Sequence, residues 1–169
     1  PKASETPEMP EEPELPVLRG VLDLARKNVM GTHKGVLFRT TSQRIRGPEY
    51  PEVAHEDVFR IAITGDSVTM GEGVLEEMTY SARLPEFLHP TAFEGRIEVI
   101  NVGLSGVNIG VAIQRLKNAI GAYHPDMIVY GFTINDIEGA LYEKPSREYE
   151  ELTKELQNSW FTNSSSVLV

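Results

Sequence analysis

Ser67 is the residue of this chain best placed to do chemistry. Residues 59 to 74 read Phe-Arg-Ile-Ala-Ile-Thr-Gly-Asp-Ser-Val-Thr-Met-Gly-Glu-Gly-Val, so the alternating β-formers Phe59, Ile61 and Ile63 run straight into Gly65-Asp66-Ser67. A strand that ends in a small, sharp turn presents a hydroxyl as a nucleophile. The peptide N–H groups of such a turn point to where an oxyanion would develop. Gly, Asp and Ser are also ordinary turn residues, so the triplet needs support from elsewhere in the chain. Asp66 adjoins Ser67 and cannot also orient a histidine; bonding loop backbone is its expected role.

The pattern of elements supplies that support. Arg96 to Val102 reads as a second buried strand, and Met127 to Phe132 as a third, wholly apolar one. Between them Met78–Leu88 and Val107–Tyr123 carry apolar residues at helical spacing, and Ser146–Trp160 closes with a stripe at Tyr149, Leu152, Leu156 and Trp160. Buried strands alternating with helices predict βαβ crossovers and a parallel sheet, giving an α/β fold of three layers, α/β/α, with a flavodoxin-like sheet. Ligands of such sheets bind outside the carboxyl ends of the strands. That rule selects three loops: Gly65–Thr69, Gly103–Asn108 and Thr133–Asp136.

Upstream, residues 1–16 hold five prolines and five glutamates with almost nothing to bury, which predicts a disordered acidic tail. Residues 17–58 form a lead-in segment. Leu18, Val21, Leu22, Ala25 and Val29 predict a helix over Val17–Met30; Gly35–Thr41 predicts a strand, with Gln43–Pro48 its turn and return. The remainder, 59–169, is the main domain, expected to be incomplete at its carboxyl end, where Asn163–Val169 reads like the start of a further element.

Composition narrows the function classes. A formal net charge of −9 over 169 residues argues against nucleic acid or an anionic membrane surface as the main partner. No apolar run approaches the roughly 20 residues of a membrane helix. With no cysteine, thiolate metal sites are excluded, and no other residues have metal-ligand spacing; no cofactor is expected. Glu72, Glu76 and Glu77 are expected to be a solvated helix start. The four histidines (His33, His55, His89 and His124) are expected on the surface or in loops, and His124, directly before Pro125, marks a helix stop.

The three loops are each small and polar. The first offers the Ser67 hydroxyl. The second, Asn101-Val-Gly-Leu-Ser-Gly-Val-Asn108, offers glycine amides, with Gly103 and Gly106 competing as donors and Asn108 a helix-start residue. The third offers the amide of Asn135, which could equally cap the following turn, as could Asp136. Converging at one sheet edge, these groups would make a nucleophile and a three-donor oxyanion hole.

In these blocks the chain resembles the SGNH (GDSL-type) hydrolases, over about Gly31 to Ile137. Gly65-Asp66-Ser67 looks like the family's nucleophile block, Gly106 occupies the position of its oxyanion glycine, and Asn135 in Thr133-Ile-Asn135-Asp136 that of its oxyanion asparagine. The family has glycine where this chain has Thr133. The stretch Arg39–Tyr50 is similar to the lead-in of one bacterial branch. The resemblance implies a serine esterase acting on a small acyl ester, with Ser67 as nucleophile, Gly106 and Asn135 in the oxyanion hole, and Asp66 and Asp136 in support. The family's histidine, preceded by an aspartate three residues earlier, has no counterpart: no Asp-x-x-His occurs, only Glu52-x-x-His55 and Glu86-x-x-His89. The base is expected beyond Val169, and this stretch alone is expected to be inactive, since the oxyanion hole and binding alone supply about 10³–10⁴-fold over water. Two rivals remain open: a non-catalytic carbohydrate- or lipid-binding module on the same fold, and a flavodoxin-like phosphate or flavin binder using Gly65–Gly73 as an anion cradle.

Overall fold

The structure, a computed structural model, describes residues 15–88, 96–133, 151 and 154. Asn135, Asp136, His89, the 146–160 helix stripe and most of the acidic tail lie outside the described residues.

The chain forms a mixed α/β fold. In order its elements are α1 (Val21–Leu24), β1 (Met30–His33), β2 (Val36–Arg39), β3 (Val58–Gly65), α2 (Ser67–Met70), α3 (Tyr80–Leu88), β4 (Arg96–Asn101), α4 (Ile109–Tyr123) and β5 (Met127–Gly131). β3 is central in a parallel sheet of order β4-β3-β5, with Ile61 opposite Val99 on one side and Met127 on the other. Alternate β3 side chains serve opposite packing partners, as the period of two requires. Ile61 and Ile63 join Val99 in a cluster with Leu84 and Leu88 of α3. Thr64, one register on, donates its hydroxyl to Ala112 O of α4 at 3.0 Å. Ile100 and Val102 pack with Ala119 and Tyr123 of α4 and with Ile45 from the lead-in. The Asn108 side chain caps α4 by accepting from the Gly110 and Val111 amides, and His124 ends the helix in a left-handed conformation (φ 47°) just ahead of Pro125.

Two expectations need correction. Residues 17–30 are not one helix: only Val21–Leu24 is helical, Val17 bridges to Thr32, and Met30 already belongs to β1. The apolar positions nevertheless reach a core, since Leu18, Leu24 and Ala25 pack with Phe38, Met70, Leu104, Val107 and Val111. At about 1.5–3 kcal/mol per large buried side chain, that cluster holds the lead-in against the carboxyl end of the sheet. Pro16, read as tail, accepts from Thr32 N–H at 2.8 Å. β5 is also less buried than its apolar sequence predicts. Among the described residues it pairs on one side only, and Met127 and Ile128 are about half exposed, at 47% and 48%.

The amino end of the sheet is closed by charge. Arg60, fully buried in β3, pairs with Glu98 of β4 at 2.9 Å. It also donates to Glu52 O, Pro51 O and Tyr123 O at 3.0, 2.6 and 3.0 Å. The carboxyl end is lined instead by small and polar residues.

Candidate functional site

All three described strands of the sheet deliver their following loops to one place. β3 passes through Gly65 into Asp66, whose carboxylate caps α2 by accepting the Val68 amide at 3.0 Å. The other Asp66 oxygen accepts the Thr133 hydroxyl at 2.7 Å, which ties the loop after β5 to the Ser67 turn. Thr133 therefore has a structural task here. The loop after β4 is attached by Leu104 N–H, which donates to Gly65 O at 3.1 Å.

Ser67 is the first residue of α2 and is half-buried. Its carbonyl accepts the Gly71 and Glu72 amides at 3.0 and 2.9 Å, closing the turn behind it. The turn reverses at Gly71 (φ 82°), a left-handed position where a Cβ would also strike the Thr79 methyl. Thr69, two residues after Ser67, is buried in a collar of glycines, for a Cβ added to Gly65, Gly103 or Gly131 would run into it. Its hydroxyl accepts from Tyr80 Oη at 3.1 Å, and burial holds the Tyr80 phenol above its ordinary pKa, so it remains a donor.

Asn101, at the end of β4, joins the loops from inside. Its Nδ2 donates to Thr69 O at 2.7 Å and to Ser81 Oγ at 2.8 Å, while Oδ1 accepts the Gly103 amide at 3.0 Å. That last bond bears on the two candidate glycine donors. The Gly103 amide is occupied, and its Cα is pressed against Met70 N, 2.7 Å from where a Cβ would stand. Gly106 is exposed and left-handed at φ 74°, and a Cβ placed there would meet open space. Gly103→Ala is accordingly expected to lower unfolding free energy by about 1–3 kcal/mol, because backbone cannot yield as a side-chain tip can. Urea denaturation checks this; a loss below about 0.5 kcal/mol would show that the collar is slack.

Arg46 grips the turn from the lead-in side. Buried beneath it, the guanidinium donates to Met70 O, Gly71 O and Val74 O at 2.9, 2.6 and 2.5 Å and lies 5.2 Å from the centroid of the Phe38 ring. Burial lowers its pKa from the ordinary arginine value, with Glu76 and Glu77 opposing. Glu72 and Glu76 depart from the expected solvated helix start. Glu76 accepts from Arg39 in a bidentate pair, and Glu72 is bonded to His33 and Ser105.

The described histidines are placed where none attends Ser67. His55 precedes β3 and His124 precedes β5, so both sit at the amino end of the sheet, with roughly 23 Å of strand between the ends of β3. His33, expected on the surface, is buried in β1, its Nδ1 bonded to Leu18 O at 2.9 Å and its Nε2 to Glu72 at 3.1 Å. Among the described residues no group of three or more His, Asp or Glu gathers as metal ligands would, and no helix is long and apolar enough to cross a membrane.

Arg46, Asn101, Glu72, Thr69 and His33 were missed as site-forming residues. Asn101 had a readable signal, being a polar residue that ends an apolar strand. The others carry no local mark. Comparison of the chain with protein-family models, curated proteins and solved structures found no match.

Proposed function

We propose that this chain carries the nucleophile of a serine esterase of the SGNH type, built on a three-layer α/β/α, flavodoxin-like fold. Its substrate is a small acyl ester, such as an O-acetylated carbohydrate or lipid. The observation that supports this reading best is the convergence of the three carboxyl-end loops on Asp66-Ser67, with Thr133 and Leu104 each bonded to that turn.

In this chemistry Ser67 Oγ attacks the ester carbonyl carbon while its proton passes to a base. The Ser67 amide, the Gly106 amide and the Asn135 side chain hold the developing oxyanion. Collapse expels the alcohol, protonated by the base, and leaves an acyl-serine, which water or a second hydroxyl then relieves. The reaction needs a base, and this chain has no Asp-x-x-His to supply it. Asp66 and Asp136 support the loops.

The binding-module reading has one observation in its favour. His33 is held through both ring nitrogens, and His55 and His124 sit at the far end of the sheet. A fluorophosphonate ester separates the two. The protein continued through a downstream Asp-x-x-His is expected to label, and Ser67→Ala to abolish the label. A folded, continued protein that does not label would favour a cleft that binds without reacting.

A further inference from the structure

The Ser67 turn, the Gly106 loop and the β1–β2 hairpin all meet on a single carboxylate. Glu72 Oε2 accepts the Ser105 hydroxyl at 3.0 Å, and Oε1 accepts His33 Nε2 at 3.1 Å, with Lys34 Nζ 3.8 Å away. The Glu72 amide donates to Ser67 O at 2.9 Å, so the side chain springs directly from the nucleophile turn. Ser105 immediately precedes Gly106. On the far side His33 Nδ1 donates to Leu18 O at 2.9 Å. Bonds to charged groups are shorter and stronger than neutral ones, and this carboxylate lies only partly open to solvent.

We propose that Glu72 is a positioning residue: by gripping Ser105 it sets the separation between the Ser67 hydroxyl and the Gly106 amide, and His33 steadies the grip from the hairpin. This rests on reading Ser67 and Gly106 as nucleophile and oxyanion donor. No other described contact ties the Ser105 side chain to the nucleophile turn. The Ser105 amide reaches the same turn only through Met70 Sδ, a weak acceptor, at 3.3 Å.

Amide hydrogen exchange reads the linkage without relying on activity. Glu72→Ala is expected to speed exchange at Leu104 and Ser105 by about ten- to hundredfold, the loss of bonds to a charged group. The β3 and β4 ladder amides around Ile61 and Val99 should hold their rates. Glu72→Gln should restore near-native exchange, because its carbonyl can accept from Ser105 while its amide stays beside the His33 ring. Unchanged rates at Leu104 and Ser105 in Glu72→Ala, or equal acceleration of the ladder amides, would overturn the proposal. A second arm uses fluorophosphonate labelling of the continued protein, where Glu72→Ala should slow the bond-forming step with little change in probe affinity. If the unmutated protein labels and Glu72→Ala changes neither labelling nor exchange, the positioning role fails and the esterase reading survives. If nothing labels while exchange responds as expected, the linkage stands and the esterase reading falls.

Discussion

Arg60→Ala is expected to cost about 3–5 kcal/mol of unfolding free energy, the usual penalty for leaving one member of a buried ion pair without its partner. Arg60 is 1% exposed and Glu98 8%. The nearby Arg96 also pairs with Glu98. Its side chain is mostly in solvent, however, and leaves the inner carboxylate oxygen unserved. Three backbone carbonyls, those of Pro51, Glu52 and Tyr123, lose their donor in the same step. The pair is not by itself a large source of stability, because two desolvated charges cost nearly what they return. The penalty comes from breaking it asymmetrically. Arg60→Met together with Glu98→Met should therefore be less harmful than Arg60→Ala alone, although the carbonyls remain unserved in both. Urea unfolding of the single and double variants decides the point. A double variant worse than the single would mean that the carbonyl bonds outweigh the ion pair.

The parts of this fold that could be read from sequence are those whose signal is local. β3, β4, α4 and β5 announce themselves through an apolar period, and α4 through Asn108 at one end and His124-Pro125 at the other. The hairpin was misread because its turn is Lys34-Gly35, with φ of 50° and 80°, rather than the Asn-Gly or Asp-Gly pair that marks such turns. The apolar residues before it happen to fall at helical spacing, while Gly20 and left-handed Asn28 (φ 54°) interrupt the helix. Buried polar residues were invisible for a different reason. Arg60 and Glu98 stand 38 residues apart, Asn101 and Thr69 32, and Glu72 and His33 39. Nothing near Arg46 in sequence says that its guanidinium will be enclosed. A buried polar side chain is justified only by partners that the fold brings to it. For the same reason the loops could be picked out by the rule for parallel sheets, but the contacts that draw them together could not.

Arg46→Ala should produce a loss of similar size, about 3–5 kcal/mol, but at the opposite end of the sheet and with a different local signature. The guanidinium fills a fork of three carbonyls, those of Met70, Gly71 and Val74, in the turn that follows Ser67. Removing it takes the donor from Met70 O and Val74 O, at about 1–3 kcal/mol for each acceptor left buried and unserved, while Gly71 O keeps the Val74 amide; it also strips a cation from the face of Phe38. Some of that is recovered if water enters, which keeps the total below the plain sum. Lysine is a demanding control. Its ammonium keeps the charge and three donors, but it is a point at the end of a flexible stem and cannot span the fork as a planar guanidinium does. Arg46→Lys is therefore expected to restore only part of the stability. The amide of Val74, which donates to Gly71 O at 3.1 Å, should exchange faster in Arg46→Lys than in the unmutated protein. If Arg46→Lys matched the unmutated protein in both stability and Val74 exchange, charge alone would account for the site. If even Arg46→Ala cost less than about 1 kcal/mol, the turn behind Ser67 would be holding itself, through the Gly71 and Glu72 amides on the Ser67 carbonyl and the glycine collar around Thr69. Ser67 would then owe its position to the sheet end and not to the lead-in segment.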